Sequence, residues 1–208
     1  MRITVFGAAG RIGSHVVARA LGRGHEVVAF VHHAQLALDG PSLVTVTGDV
    51  LDRDAVFSAV GGSDGVVFAL SHGQGERRDI HEAGIASVIQ AMAMHDVRRL
   101  AAVSAAGAFH RSDRDLSLGY RALIATSMRH VYDDLEAMEN RIIASDLDWT
   151  IVRPVGLSDE PASGDYRVAL DGSLLPKAAR ISREDVAALL LKALETDTYR
   201  RRTVTIAQ

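Results

Sequence analysis

The run "FGAAGRIG" places glycine at positions 7, 10 and 13, directly after a short apolar stretch that begins at Arg2. A strand that turns straight into a helix leaves the helix's first amides unpaired at the strand's carboxyl end. Those amides, with the helix dipole behind them, attract anions. Glycine permits the tight turn and, having no Cβ, lets a pyrophosphate approach the backbone; Gly13, one turn into the helix, permits close packing of helix on strand. The spacing is Gly-x-x-Gly-x-x-Gly rather than Gly-x-Gly-x-x-Gly, so its force comes from its place at the first strand–helix junction of an alternating chain. A purely structural turn without a ligand is the competing reading.

If a dinucleotide lies on that turn, the end of the second strand, "VVAFVHHAQ", selects its type. A carboxylate there holds a ribose 2′-hydroxyl and repels a 2′-phosphate, whereas Arg or Lys does the reverse. The chain has His32 and His33 at this place, Arg11 in the glycine turn, and no acid. That favours NADP(H), with NAD(H) as the alternative; imidazoles are weaker phosphate ligands than guanidinium, and solvent-exposed loop histidines are the plain reading. A metal site is not expected, because adjacent histidines do not readily converge on one ion and no His-Glu-x-x-His helix exists. In "TGDVLD", Asp49 either accepts from the adenine amino group or caps the next helix; Asp52 is the better placed cap, which leaves Asp49 for adenine.

The elements that must position these groups follow from apolar periodicity. Continuous apolar or β-branched runs at 3–6, 27–31, 43–46, 66–70, 100–103 and 149–152 suit parallel strands covered on both faces, and 203–206 makes a final strand. Helices are expected over 11–23, 52–60, 79–95, 128–144 and 183–195, the last opened by Ser182 as N-cap. Within 128–144, Val131, Leu135, Met138 and Ile142 form one apolar stripe. Strand–helix alternation of this kind predicts a Rossmann-like α/β fold: a doubly wound, mostly parallel sheet with helices on both faces, in a single domain over residues 1–208. Two stretches, 105–119 and 158–177, resist assignment. Both follow strands on the side where open α/β sheets bind ligands, so 105–119 and 155–177 are expected to form the substrate pocket.

Composition narrows the class. The 208 residues are 48% hydrophobic and 24% charged, ordinary for a soluble domain with a substantial core. With 23 basic against 26 acidic residues the net charge is −3, which argues against nucleic acid as a partner. The Arg200–Arg202 triplet in such a chain reads as surface. Absence of cysteine excludes disulfides and thiolate chemistry. With a strand starting at Arg2 and no apolar run long enough for a bilayer, the expectation is no signal peptide, no membrane and a cytoplasmic location.

The glycine turn, "GDVLD", "VSAAGAF" and "SDLDWTIVRPVGL", in this order, resemble the atypical short-chain dehydrogenase/reductases, in particular the NAD(P)-binding group of NmrA-like and biliverdin reductase B-like (flavin reductase) proteins. The resemblance covers essentially the whole chain, through "ISREDVAALLLKALE". It implies that Gly7, Ala9, Gly10, Arg11, Ile12 and Gly13 meet the pyrophosphate and adjoining ribose. It further implies that His32, with His33, stands where an arginine often holds the 2′-phosphate, and that Asp49 and Val50 border adenine. Ala69, Leu70 and Ser71 then pass under the nicotinamide-side ribose, Ser104 takes the family's serine position, and Pro154 with Val155 lines the carboxamide edge.

The wider superfamily carries Tyr-x-x-x-Lys, whose ammonium lowers the phenol's pKa. Here the run is "YDDLE", with Tyr132 present and Glu136 in the lysine's place. A carboxylate beside a phenol disfavours the phenolate, which puts the superfamily's proton relay in doubt. Tyr132, Glu136 and Glu139 form a second stripe expected to face the cleft, with Tyr132 as catalyst or as a lining aromatic. Hydride transfer survives this loss for an electron-poor acceptor such as a quinone, flavin, enone or conjugated tetrapyrrole, with the proton from water, Ser104 or His110. Phe109, Tyr120 and Leu157 are expected pocket walls.

The sequence therefore reads as an NAD(P)H-dependent oxidoreductase acting on a small molecule, with Ser104 and Tyr132 as catalytic candidates. The alternative is a non-catalytic NmrA-like sensor of the dinucleotide's redox state. A homodimer is an open alternative to a monomer.

Overall fold

A computed structural model describes residues 1–33, 35–71, 78–108, 126, 128–175, 178 and 180–208. The strands are β1 (Arg2–Phe6), β2 (Glu26–Val31), β3 (Leu43–Thr47), β4 (Gly65–Phe68), β5 (Arg99–Val103), β6 (Asp148–Pro154), β7 (Leu157–Ser158), β8 (Arg167–Ala169), β9 (Ile181–Ser182) and β10 (Arg202–Ala207). The helices are α1 (Gly13–Gly22), α2 (Arg53–Val60), α3 (Ile80–Met94), α4 (Arg129–Ile143) and α5 (Arg183–Glu195). Eight strands form one sheet in the order β3-β2-β1-β4-β5-β6-β10-β8. Among the described residues, the β10–β8 pair is the only antiparallel one in this sheet. The chain leaves β1 toward β2 and β3 on one side and returns to β4 on the other, so the order reverses beside β1. This is a Rossmann-like doubly wound sheet, and its reversal point is where such sheets bind ligands.

Strand alternation sorts the side chains into two cores. In β1, Ile3 and Val5 are buried with Val16, Val17, Val186 and Leu190 of α1 and α5. Phe6 is buried on the opposite face with Val56, Ile85, Val88 and Met138 of α2, α3 and α4. Successive β residues point to opposite faces, so a strand covered by helices on both sides is apolar throughout. Thr4 is the polar exception in β1. Its hydroxyl donates to the Ala59 carbonyl (2.8 Å) and lies 2.7 Å from the Ser63 hydroxyl, so nothing polar is left unpaired there.

β3 departs from the expectation of burial on both faces. It is the sheet's edge, with β2 as its one neighbour, and Val44 is 54% exposed. The local run "LVTVT" is β-branched enough to make a strand, but position in the sheet decides its burial.

The stretch between β6 and α5 is held by contacts distant in sequence. β7 and β9 pair as a separate two-stranded sheet, and β8 adds to the edge at β10. The Ser182 hydroxyl accepts from the Asp185 amide (3.0 Å), the expected N-cap of α5. The Asp185 carboxylate in turn accepts from the amides of Ser163 (3.0 Å) and Gly164 (3.1 Å), pinning the loop to the helix start. Opposite the loop, Arg153 of β6 donates to the Gly172 carbonyl at 3.4 Å.

Candidate functional site

The glycine turn closes where β1 meets β4. Gly7 has φ +77°, a left-handed conformation that side chains rarely adopt, and a Cβ on it would lie 2.4 Å from the Ala69 carbonyl oxygen. A Cβ on Gly13 would lie 2.0 Å from the Gly7 carbonyl oxygen. The glycines are therefore required by close backbone approach: β4 presses on the turn, and α1 presses on β1. Within the turn the Gly10 amide donates to the Gly7 carbonyl (2.9 Å) and the Ser14 amide to the Gly10 carbonyl (2.9 Å). No side chain caps α1, and the amides of Arg11 and Ile12 make no hydrogen bond among the described residues. An uncapped helix end with free amides beside a glycine cradle has the donor set of a diphosphate site.

That turn opens onto a cleft of about 550 Å³. Gly7, Ala9 and Gly10 line it from the turn, His32 and His33 from the end of β2, Asp49 and Val50 from the end of β3, and Leu70 and Ser71 from the end of β4. The structure thus gathers nine residues singled out from sequence onto one surface. The cleft also takes in Phe30, Val31, Gly48, Leu51 and Ile80, which motif reasoning missed. The missed signal was positional: Val31, Gly48 and Leu51 adjoin recognised residues, Phe30 lies two before His32, and Ile80 is the first residue of α3. Phe30 also explains Gly48, where a Cβ would lie 2.9 Å from the Phe30 ring. Val50 is buried against Gly84 of α3, where a Cβ would lie 3.0 Å from the valine methyl.

Of the two aspartates after β3, the second is the expected helix cap. Asp52 caps α2 by accepting from the amides of Asp54 (3.0 Å) and Ala55 (3.2 Å). Asp49 accepts from the Leu51 amide (2.9 Å) and keeps its other carboxylate oxygen 3.9 Å from His32 Nε2. Arg11 and Ile12 do not line the cleft. Arg11 pairs instead with Asp159, which also accepts from Arg183 at 2.7 Å.

At the carboxyl ends of β5 and β6, the Ser104 amide donates to the Val152 carbonyl (2.9 Å) and the Ala106 amide to the Pro154 carbonyl (3.1 Å). Val155 is tied to β10 through the Ile206 carbonyl (3.2 Å). These residues stand outside the cleft just described, on neighbouring strand ends. The Ser104 hydroxyl is buried and has no hydrogen-bond partner among the described residues. An unpaired buried hydroxyl costs roughly 1–3 kcal/mol and calls for an external partner.

Tyr132 is 4% exposed and packs in the core cluster with Leu135 and Met138 of α4, while Glu136 is half-buried. The expected stripe of Tyr132, Glu136 and Glu139 does not face the cleft as a unit, because Glu139 is fully buried. Its carboxylate accepts from Arg153 Nε at 3.0 Å and Nη2 at 2.5 Å. Sequence reading also missed the buried pair of His81 and Asp134, 2.8 Å apart. Asp134 of α4 accepts from the amides of His81 (3.0 Å) and Glu82 (2.9 Å), so it caps α3 from the neighbouring helix. Burial alone would raise the Asp134 carboxyl, but the His81 ring and these two amides outweigh it and hold it below the usual carboxylate range. Phe109, His110, Tyr120 and most of the 105–119 stretch lie outside the described residues, as do 72–77.

Comparison with known proteins follows this geometry. A family profile described as NAD(P)H-binding matches residues 7–197. The chain is 26% identical over 203 residues to the uncharacterized sugar epimerase YhfK of Bacillus subtilis, covering 94% of this chain and 88% of that one. Among solved structures it is similar to a wide-type short-chain dehydrogenase/reductase from Veillonella parvula in complex with NADP. That likeness has a TM-score of 0.83 at 19% identity and covers 100% of this chain and 94% of the other. It is also similar to ChuY of Escherichia coli O157:H7, described as an anaerobillin reductase, with a TM-score of 0.80 at 23% identity and coverage of 100% and 97%. The glycine turn, the cleft at the sheet's reversal point and the profile match agree: the chain belongs to the NAD(P)H-binding family.

Proposed function

We propose that the protein is an NAD(P)H-dependent oxidoreductase, with NADPH favoured, that passes a hydride to a small conjugated acceptor such as a quinone, flavin or enone. The observation that carries the reading is the pairing of an uncapped α1 with a buried, unpartnered Ser104 hydroxyl. One offers amides to a diphosphate, and the other offers a donor to an acceptor oxygen. The NADP complex of one structural neighbour and the reductase description of another support it.

The residues present fit a dinucleotide. The turn at Gly7, Ala9 and Gly10 would hold the diphosphate. His32, His33, Asp49 and Val50 would surround the adenosine end, and Ala69, Leu70, Ser71, Pro154 and Val155 the nicotinamide end. When bound, a reduced nicotinamide supplies the hydride. Ser104 donates to the acceptor's oxygen and so stabilises charge that develops there. Tyr132 packs as a wall, since Glu136 gives it no cation. An acceptor that is already electron-poor needs only this modest assistance.

A specific observation keeps a second reading in view. A buried Tyr132 followed by Glu136 suits a protein that binds the dinucleotide and reports its redox state without turnover.

Thermal shift with NADPH and NADH, followed by oxidation of the bound nucleotide against quinones, flavins and enones, separates the two. The enzyme reading expects turnover that survives Tyr132→Phe and falls about 10- to 100-fold with Ser104→Ala, the size of one hydrogen bond to a charged group. Tight binding without turnover across the panel selects the sensor. No shift with either nucleotide ends both.

A further inference from the structure

Two cavities meet at the end of β2. The first is the cleft described above. The second, of about 420 Å³, is lined by His32, His33 and Gln35 beyond β2 and by Thr45 and Thr47 of β3. His32 and His33 line both cavities, so they form part of the wall between them. Their rings stack with centroids 3.6 Å apart at 32°. Asp49 faces His32 Nε2 at 3.9 Å, and both side chains are half exposed. Among the described residues lining either cavity, His32, His33 and Asp49 are the only ones with ionisable side chains. Arg11 lines neither cavity and is held by Asp159.

The geometry points to a protonation-dependent selector: His32, His33 and Asp49 choose between dinucleotides, favouring a 2′-phosphate when the imidazoles are charged and a 2′-hydroxyl when they are neutral. The inference rests on the dinucleotide reading and deepens it.

The argument is one of charge. Among the described residues no permanent cation lines the wall, and their attraction for phosphate rests on imidazole, the side chain that changes charge between about pH 5 and 8. A neutral imidazole offers one donor, whereas an imidazolium offers two and a charge. Asp49 supplies the opposite preference. It repels a phosphate and accepts from a hydroxyl, and the Leu51 amide at 2.9 Å fixes its orientation. A proton on His32 offsets Asp49, and a proton on His33 is left to meet the phosphate. Two stacked imidazolium ions repel each other, so the second proton is taken up mainly when an anion arrives. Binding of the phosphorylated ligand and uptake of protons are therefore linked. The ligand's own second phosphate pKa is about 6, so it stays at least monoanionic below that value and becomes dianionic above it. The gain in ligand charge as pH rises opposes the selector, and the expected trend is what remains after this opposition. The hydroxyls of Thr45 and Thr47 and the amide of Gln35 supply neutral hydrogen bonds on the second cavity's side.

The test is calorimetry on the full chain with 2′-phospho-ADP-ribose and ADP-ribose, repeated with NADPH and NADH, between about pH 6 and 8. The preference for the 2′-phosphorylated member of each pair is expected to fall about tenfold across this range, the size of one charged hydrogen bond. Titration in two buffers of different ionisation enthalpy is expected to show net proton uptake with the phosphorylated ligands alone. The double variant His32→Gln, His33→Gln should flatten the pH profile. His32→Arg should hold the phosphate preference at both ends, and Asp49→Asn should raise it at the alkaline end. All these side chains are exposed at the cleft rim, so an unchanged melting temperature checks the fold. Binding of both ligand types with a pH-invariant preference and no proton uptake overturns the selector while leaving the dinucleotide reading intact. Failure of all four ligands to bind overturns both.

Discussion

Across β1 to β4 the site is built from backbone: two glycines that no side chain could replace, an uncapped helix end, and residues at or just beyond strand ends. From β6 to α5 the corresponding wall is built from side chains that reach across the fold. Arg153 binds Glu139, which is 14 residues away, and Asp185 binds Ser163, which is 22 residues away. A backbone-built site tolerates little change at a few positions and binds what all dinucleotides share. A side-chain-built wall varies without disturbing the strands beneath it. Under the proposed function, the first half would hold the part common to all dinucleotides, and the second would be free to shape the acceptor's surroundings.

Breaking the second region at its deepest point should give the largest effect. Arg153→Met leaves the Glu139 carboxylate buried without its guanidinium, a loss of about 3–5 kcal/mol that a denaturant midpoint would register. Adding Glu139→Leu to the same variant removes the stranded charge and should recover most of that loss. If Arg153→Met alone costs under about 1 kcal/mol, the wall does not depend on its buried pair.

The first region is probed by Gly13→Ala. With a Cβ placed 2.0 Å from the Gly7 carbonyl oxygen, α1 must move off β1. We expect about 1–3 kcal/mol of destabilisation and, in thermal shift, loss of the NADPH response in the fraction that remains folded. Retained nucleotide binding would show that the turn does not need its close contact.

Asp159 joins the two regions by pairing with Arg11 of the turn and Arg183 of α5. Its side chain and that of Arg11 are 68% and 67% exposed. Solvent screening makes such a link weak, so Asp159→Asn should change stability by less than about 1 kcal/mol. The sharper readout is nucleotide affinity, expected to rise slightly as Arg11 is released. A large stability loss here would mean that the two halves are mechanically coupled.

Much of the frame was legible because it is local. The helix over 183–195 coincides with α5, and the others fall within two residues at either end, since apolar spacing and caps such as Asp52 and Ser182 act over a few neighbours. β8 was not legible. "RVA" has no pattern of its own and becomes a strand by pairing with β10. β3 was legible as a strand but not as an edge.

The sequence alone was enough to determine the alternation of strands and helices, the glycine turn and hence the class of ligand, because each depends on residues adjacent along the chain. Only the tertiary structure decided that Glu139 turns away from the cleft to Arg153, that Asp134 caps α3 from α4, and that His32 stands opposite Asp49. Those relations join residues separated by 14, 53 and 17 positions. No periodicity encodes them; they exist because strand pairing aligns the ends of β2 and β3 and because α3, α4 and β6 pack together on one face of the sheet.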